Sequence, residues 1–158
     1  MFLVLMFLIS GCIGGSMEVK KGDFVKVHYT GKLDNGDVFD SSEGKEPLEF
    51  EAGAGQMIEG FDTAVIGMKV GEKKTITLEP EKAYGEIRDD LIQDVDMSRF
   101  GEQEVKVGDD ITAYTVEGYP IQGVVLEVSD QGAKVDFNHK LAGKKLIFDI
   151  EIVDIEKQ

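Results

Sequence analysis

"VHYTGKLDNGDVFDSS" (residues 27–42) is the stretch on which the fold turns. Val25, Val27 and Tyr29 alternate with Lys26 and His28, and a period of two is the mark of a half-buried strand. Asn35-Gly36 is a tight-turn dipeptide, because a two-residue hairpin needs positive φ at its centre. The chain reverses there, and Phe39 opens a returning strand. Asp40 follows Phe39 and precedes Ser41-Ser42. Read alone, such an acid is a turn or helix cap.

The same reading extends outward. "PLEFEAG" (47–53) is a third short strand with Leu48 and Phe50 on one face. "QMIEGFDTAVIGM" (56–68) changes period: Ile58, Phe61 and Val65 fall on one stripe of a short helix, and Gly67 is placed to close it as a left-handed cap. "KKTITLEP" (73–80) returns to strand, with Ile76 and Leu78 inward. "KKLIFDIEIVDI" (144–155) puts Leu146, Phe148, Ile150 and Ile152 on one face. "KKGD" at 20, "KVGE" at 69 and "KVGD" at 106 each precede a strand at unequal spacing, so they are turn punctuation and not a repeat. The expected class is α+β, an antiparallel sheet wrapped on one short helix.

The chain has 158 residues, room for one ordinary domain or a small domain with an insertion. Its net charge of −14 would repel a phosphate backbone, which argues against nucleic acid as a partner. The single cysteine, Cys12, excludes an intrachain disulfide, and His28 and His139 have no second ligand at metal spacing. No metal or cofactor is expected. Residues 1–16, "MFLVLMFLISGCIGGS", carry no charged side chain. The apolar run to Ile9 is too short to span a bilayer but has the length of a signal-peptide core. "ISGC" resembles a lipobox, which implies lipidation of Cys12, a Gly/Ser tether and an extracytoplasmic, membrane-anchored protein. The alternative is translation from Met17, giving a cytoplasmic protein.

Taken in order, "VHYTGKLDNGDVFDSS", "GQMIEGFDTAVIGMKVGEKKTITLEPEKAYGE" and "LIFDIEIVDI" resemble the FKBP-type peptidyl-prolyl cis-trans isomerases over residues 19–87 and 139–156. Residues 88–138 replace what is a short loop in ordinary members. They return through "NHKLAGKKLIF", an arrangement similar to the SlyD-like branch and its archaeal relatives, in which an insert-in-flap domain binds unfolded clients. The implied organisation is a leader over 1–16, an isomerase domain over 17–87 plus 139–158, and a mainly β insert over 88–138. The His-rich, nickel-binding segment of some SlyD proteins has no counterpart among two histidines.

Rotation about a prolyl amide must break resonance, a barrier of about 18–20 kcal/mol. No nucleophile or metal is needed. An apolar pocket that strips water from the amide, with a few polar groups to hold the twisted carbonyl, suffices. The resemblance places Tyr29, Phe39, Leu48, Met57, Ile58, Phe61, Tyr84 and Phe148 in that pocket. It gives the Ile58 N–H and the Tyr84 hydroxyl to the substrate carbonyls and sets Asp40 at the rim beside Tyr29. Phe61 stands where most members carry Trp, Met57 where Val is usual and Leu48 where Phe is usual. The first change keeps an aromatic floor and is expected to weaken macrolide-type ligands. Individually, the aromatics read as core. A hydrolase built on Ser41 or Ser42 with His139 lacks a nucleophile elbow, and His139 is expected as a structural contact at the domain junction.

The insert holds Leu91, Ile92, Val95, Met97, Phe100, Tyr119 and Ile121, more apolar residues than polar loops need. Some must form a small core. The others are expected to stay exposed as a groove for unfolded or proline-containing chains, with a peptide adding along an open strand edge. The expected protein is a monomeric isomerase that assists folding through its insert. The rival is a non-catalytic holdase that keeps the fold.

Overall fold

The computed structural model describes residues 17–158. Cys12 and the expected leader and tether lie outside the described residues. Two antiparallel sheets form. The first has the order β2 (Val38–Ser41), β1 (Phe24–Leu33), β9 (Leu146–Glu156), β4 (Lys73–Leu78), and β3 (Leu48–Glu51) also pairs with β1. Strand β1 divides its free side, giving Phe24–Val27 to β3 and Thr30–Lys32 to β2. One helix, α1 (Glu59–Ala64), lies on the sheet; Phe61 and Val65 enter the core, and Gly67 takes the expected positive φ of 84°. The second sheet runs β5 (Ile92–Asp96), β8 (Gly132–Asp136), β7 (Pro120–Val128), β6 (Asp110–Tyr114).

Burial follows the alternation read from the sequence. Val25 and Val27 of β1 and Leu146, Phe148, Ile150 and Ile152 of β9 form the centre of the larger core. A bulge modifies this pattern. Lys26 pairs with Asp154 but Val27 with Ile152, so Val153 is passed over. An extra residue shifts the two-residue period by one, which turns Val153 outward and buries Ile155.

The loop before α1 is held by a side chain that no pattern signals. Asp62 is 6% exposed. Its carboxylate accepts from the Gly53 N–H at 2.7 Å and the Gly55 N–H at 2.9 Å. These bonds pin the turn that leads into Met57 and Ile58.

The second sheet has its own small core of Val125, Ala133 and Val135, covered by Val95, Phe100, Val105, Ile111 and Phe137. Val95 and Phe100 are half-buried, each with one side packed on this core. Leu91, Ile92 and Met97 are half-buried. Among the described residues no helix is long and apolar enough to cross a membrane.

Candidate active site

A second bulge builds the site. Gly31 pairs with Asp40 and Lys32 with Val38, so Phe39 has no partner across the ladder. A bulge re-aims the residue it releases. Phe39 swings its ring over β1, edge-on to Phe148 at 5.6 Å and 87°. Gly31 makes this geometry possible. A Cβ there would lie 2.6 Å from Phe39 Cζ and 3.0 Å from Phe148 Cε1. A glycine inside a strand pattern signals close approach; that cue was available in the sequence, where Gly31 had no role assigned.

Beneath Phe39 the aromatic residues converge. Phe61, from α1, meets Phe148 at 5.3 Å and 78° and Tyr29 at 5.9 Å and 85°, with Phe50 behind it at 5.9 Å. Edge-to-face pairs of this kind are favourable beyond their buried area. Leu48, Met57 and Ile58 are half-buried and pack on the same core. The structure thus brings Tyr29, Phe39, Leu48, Met57, Ile58, Phe61 and Phe148 into one apolar assembly from four strands, one helix and the loop before it.

The polar groups lie at its rim. The Tyr29 hydroxyl donates to Asp40 Oδ2 at 2.6 Å, and Asp40 Oδ1 accepts from the Ser41 N–H at 2.8 Å. Both carboxylate oxygens are therefore fixed although Asp40 is exposed. Burial pushes the Tyr29 phenol up to about 12, helped by its bond to Asp40 and by the charges of Asp40 and Tyr84. Ionisation would put a phenolate against a carboxylate, so Tyr29 remains a donor through the neutral range. Ile58 occupies the N-cap position of α1, with ψ of 142°. The first N–H groups of a helix have no partner within it, which leaves the Ile58 N–H suited to an incoming carbonyl.

Tyr84 follows a 3-10 turn at Pro80–Lys82 and is 39% exposed. Its ring lies flat on His139, with centroids 4.1 Å apart and planes within 1°. Ser42 is buried; its Oγ accepts from the Tyr29 N–H at 2.9 Å and lies 3.1 Å from His28 Nδ1. The serine that a hydrolase would use is thus a strand cap paired with the other histidine.

A cleft of about 640 Å³ opens from Phe39 toward the second sheet. Its far wall is Ile121–Val124 of β7 and its floor Phe137–Leu141. Of the seven candidate client residues, Ile121 reaches this cleft. Tyr119 stands apart in the β6–β7 turn, 69% exposed, and the sequence reading missed the exposed Tyr114 and Val116 beside it. Among the described residues no group of three or more His, Cys, Asp and Glu is arranged to hold a metal ion.

The chain matches the family described as FKBP-type peptidyl-prolyl cis-trans isomerase over residues 15–153. It is 40% identical to the short-type peptidyl-prolyl cis-trans isomerase of Methanocaldococcus jannaschii, across 87% of this chain and 94% of that one. It is 36% identical to the FKBP-type 16 kDa peptidyl-prolyl cis-trans isomerase of Escherichia coli, across 89% and 96%. Identity to the FKBP-type peptidyl-prolyl cis-trans isomerase SlyD of Aeromonas hydrophila is 39%, across 88% of this chain and 65% of that protein.

Proposed function

We propose a mechanism and a division of labour for this chain, which belongs to the FKBP-type peptidyl-prolyl cis-trans isomerase family and is a peptidyl-prolyl cis-trans isomerase. The prolyl ring enters the aromatic cup of Tyr29, Phe39, Phe61 and Phe148. Leaving water favours the twisted amide, which has less charge separation than the planar one. The Ile58 N–H and the Tyr84 hydroxyl hold the flanking carbonyls, while Asp40, oriented by Tyr29, sets the field at the rotating bond. The protein provides fixed dipoles in a dry site and forms no covalent bond to its substrate.

The observation that supports this reading is the Tyr29–Asp40 hydrogen bond at the rim of the aromatic cup. Asp40→Ala tests it. Removing one preorganised electrostatic contact from the transition state costs on the order of 100-fold, so kcat/KM for a short proline peptide is expected to fall roughly 10- to 100-fold. Melting should be unaffected, since Asp40 is exposed. An unchanged rate would return Asp40 to a turn cap. The same cup suits macrolide-type ligands, more weakly for having Phe61 as its floor.

The lobe formed by residues 88–138 is proposed to hold unfolded or proline-containing polypeptides near the cup, which makes the protein a folding helper. The exposed apolar tip of the β6–β7 hairpin and the free edge of β6 support this. Lipidation of Cys12 and an extracytoplasmic, membrane-anchored location are proposed from the lipobox-like "ISGC". Intact mass of the native protein decides that point: a diacylglyceryl-modified Cys12 as N-terminus is expected, and an unmodified chain starting at Met17 would overturn it.

A further inference from the structure

We propose that Asn138 and His139 are positioning residues for Tyr84, through which the far end of the inserted segment sets the geometry of the isomerase site. The inference rests on Tyr84 touching substrate, as proposed above.

Tyr84 is poorly held by its own neighbourhood. It sits on a linker after a single 3-10 turn, with more than a third of its surface in solvent. A tyrosine so placed has freedom about both side-chain torsions, which a contact to a substrate carbonyl cannot tolerate. Its ring plane is faced by the imidazole of His139, parallel and 4.1 Å away. Flat stacking fixes the ring plane and leaves the hydroxyl at the edge unobstructed.

The imidazole is itself fixed. His139 Nδ1 accepts from the Leu141 N–H at 3.1 Å, and the His139 carbonyl accepts from the Ala142 N–H at 2.8 Å. An accepting Nδ1 places the ring proton on Nε2. The turn at 139–142 is then anchored on both sides to the linker that carries Tyr84. Before it, Asn138 acts like a piece of backbone: its Oδ1 accepts from the Arg88 N–H at 2.9 Å, and its Nδ2 donates to the Arg88 carbonyl at 3.0 Å and to Asp136 Oδ1 at 2.8 Å. After it, the Gly143 N–H donates to the Gly85 carbonyl at 2.8 Å. A Cβ on Gly143 would come within 2.7 Å of Ile87 Cγ1, so only glycine lets the two segments approach this closely. Every element of the clamp is paired, and its turn is seated on the isomerase lobe, with Leu141 packed against the larger core and Ala142 buried.

The test uses the full-length protein with His139→Ala, His139→Phe, Asn138→Ala and Tyr84→Phe. It reads three quantities: melting temperature, kcat/KM on a short proline peptide, and the Tyr84 ring-proton shifts in tyrosine-labelled protein. In His139→Ala the Tyr84 resonances are expected to lose their ring-current shift, and kcat/KM to fall roughly tenfold, the scale on which a displaced contact group acts. His139→Phe restores a flat aromatic face and is expected to recover most of the rate. Asn138→Ala should move the same resonances in the same direction by less. Unmoved Tyr84 resonances in His139→Ala would overturn the positioning role. Moved resonances with an unchanged rate, while Tyr84→Phe is slow, would overturn its link to catalysis. If Tyr84→Phe itself is as fast as the parent, the reading of Tyr84 as a substrate contact fails instead, and the ring shifts still decide the positioning role.

Discussion

Phe61→Ala is expected to cost about 3–5 kcal/mol of stability, the range for truncating a buried aromatic ring. Phe61 is 3% exposed and touches Tyr29, Phe50 and Phe148 at once. Its removal opens a void whose walls belong to β1, β3 and β9. β3 and β9 both hydrogen-bond to β1, so they cannot close inward without breaking ladder bonds. The melting transition of the isomerase lobe should fall by roughly 10–40 °C at this size of effect. Activity should vanish with it, because Phe61 is also the floor of the cup. Phe61→Leu separates the two roles. It stays apolar but loses three carbon atoms, so it should cost roughly 1–2 kcal/mol, well below the cost of Ala, and it removes the flat ring that packs T-shaped against Tyr29 and Phe148. A variant that melts well above the Ala variant while kcat/KM drops tenfold or more is the expected result for Leu. A Leu variant as fast as the parent would show the floor to be mere packing.

Why Phe61 could be placed from the sequence, and Gly31 could not, is a question of range. Ile58, Phe61 and Val65 lie within two turns of one helix, and their spacing alone puts them on one face. The strands were legible for the same reason, and so was the reversal at Asn35-Gly36. Phe39 is different. Its place in the cup depends on a bulge, and a bulge is a mismatch between two strands that neither strand displays alone. The face change at Val153, which buries Ile155, is of the same kind. Asp62 and Asn138 act on backbone amides, Asp62 on a preceding loop and Asn138 on the far side of the insert, so no local period marks them. In the second sheet, composition gave an excess of apolar residues but not their partition. Val95 is inside because β5 pairs with β8, and Tyr119 is outside because it falls in a turn.

That partition makes the second large effect specific. Val116→Asp combined with Tyr119→Asp is expected to abolish most of the assistance given to a refolding protein whose slow step is prolyl isomerisation. Val116 is fully exposed and Tyr119 69% exposed, at the tip of the β6–β7 hairpin, and neither packs on the core of Val125, Ala133 and Val135. Solvent-facing changes of this kind usually alter stability by less than about 0.5 kcal/mol. The charges also extend the repulsion of an already acidic chain toward nothing structural. Val116 and Tyr119 do not line the cleft at Phe39, and a short proline peptide needs the cup alone, so its isomerisation should match the parent. A protein client gains from being held: tethering near the site raises its effective concentration to the order of millimolar. With the client at micromolar concentration, losing that hold should slow catalysed refolding about tenfold or more, leaving only collisional encounters with the cup. The comparison has a built-in control, since both assays use the same protein and the same chemical step. Equal loss in the two would mean that the substitutions damaged the isomerase lobe. No loss in either would overturn the hairpin tip as the client surface, and Ile121 in the cleft facing Phe39 would be the next position to alter.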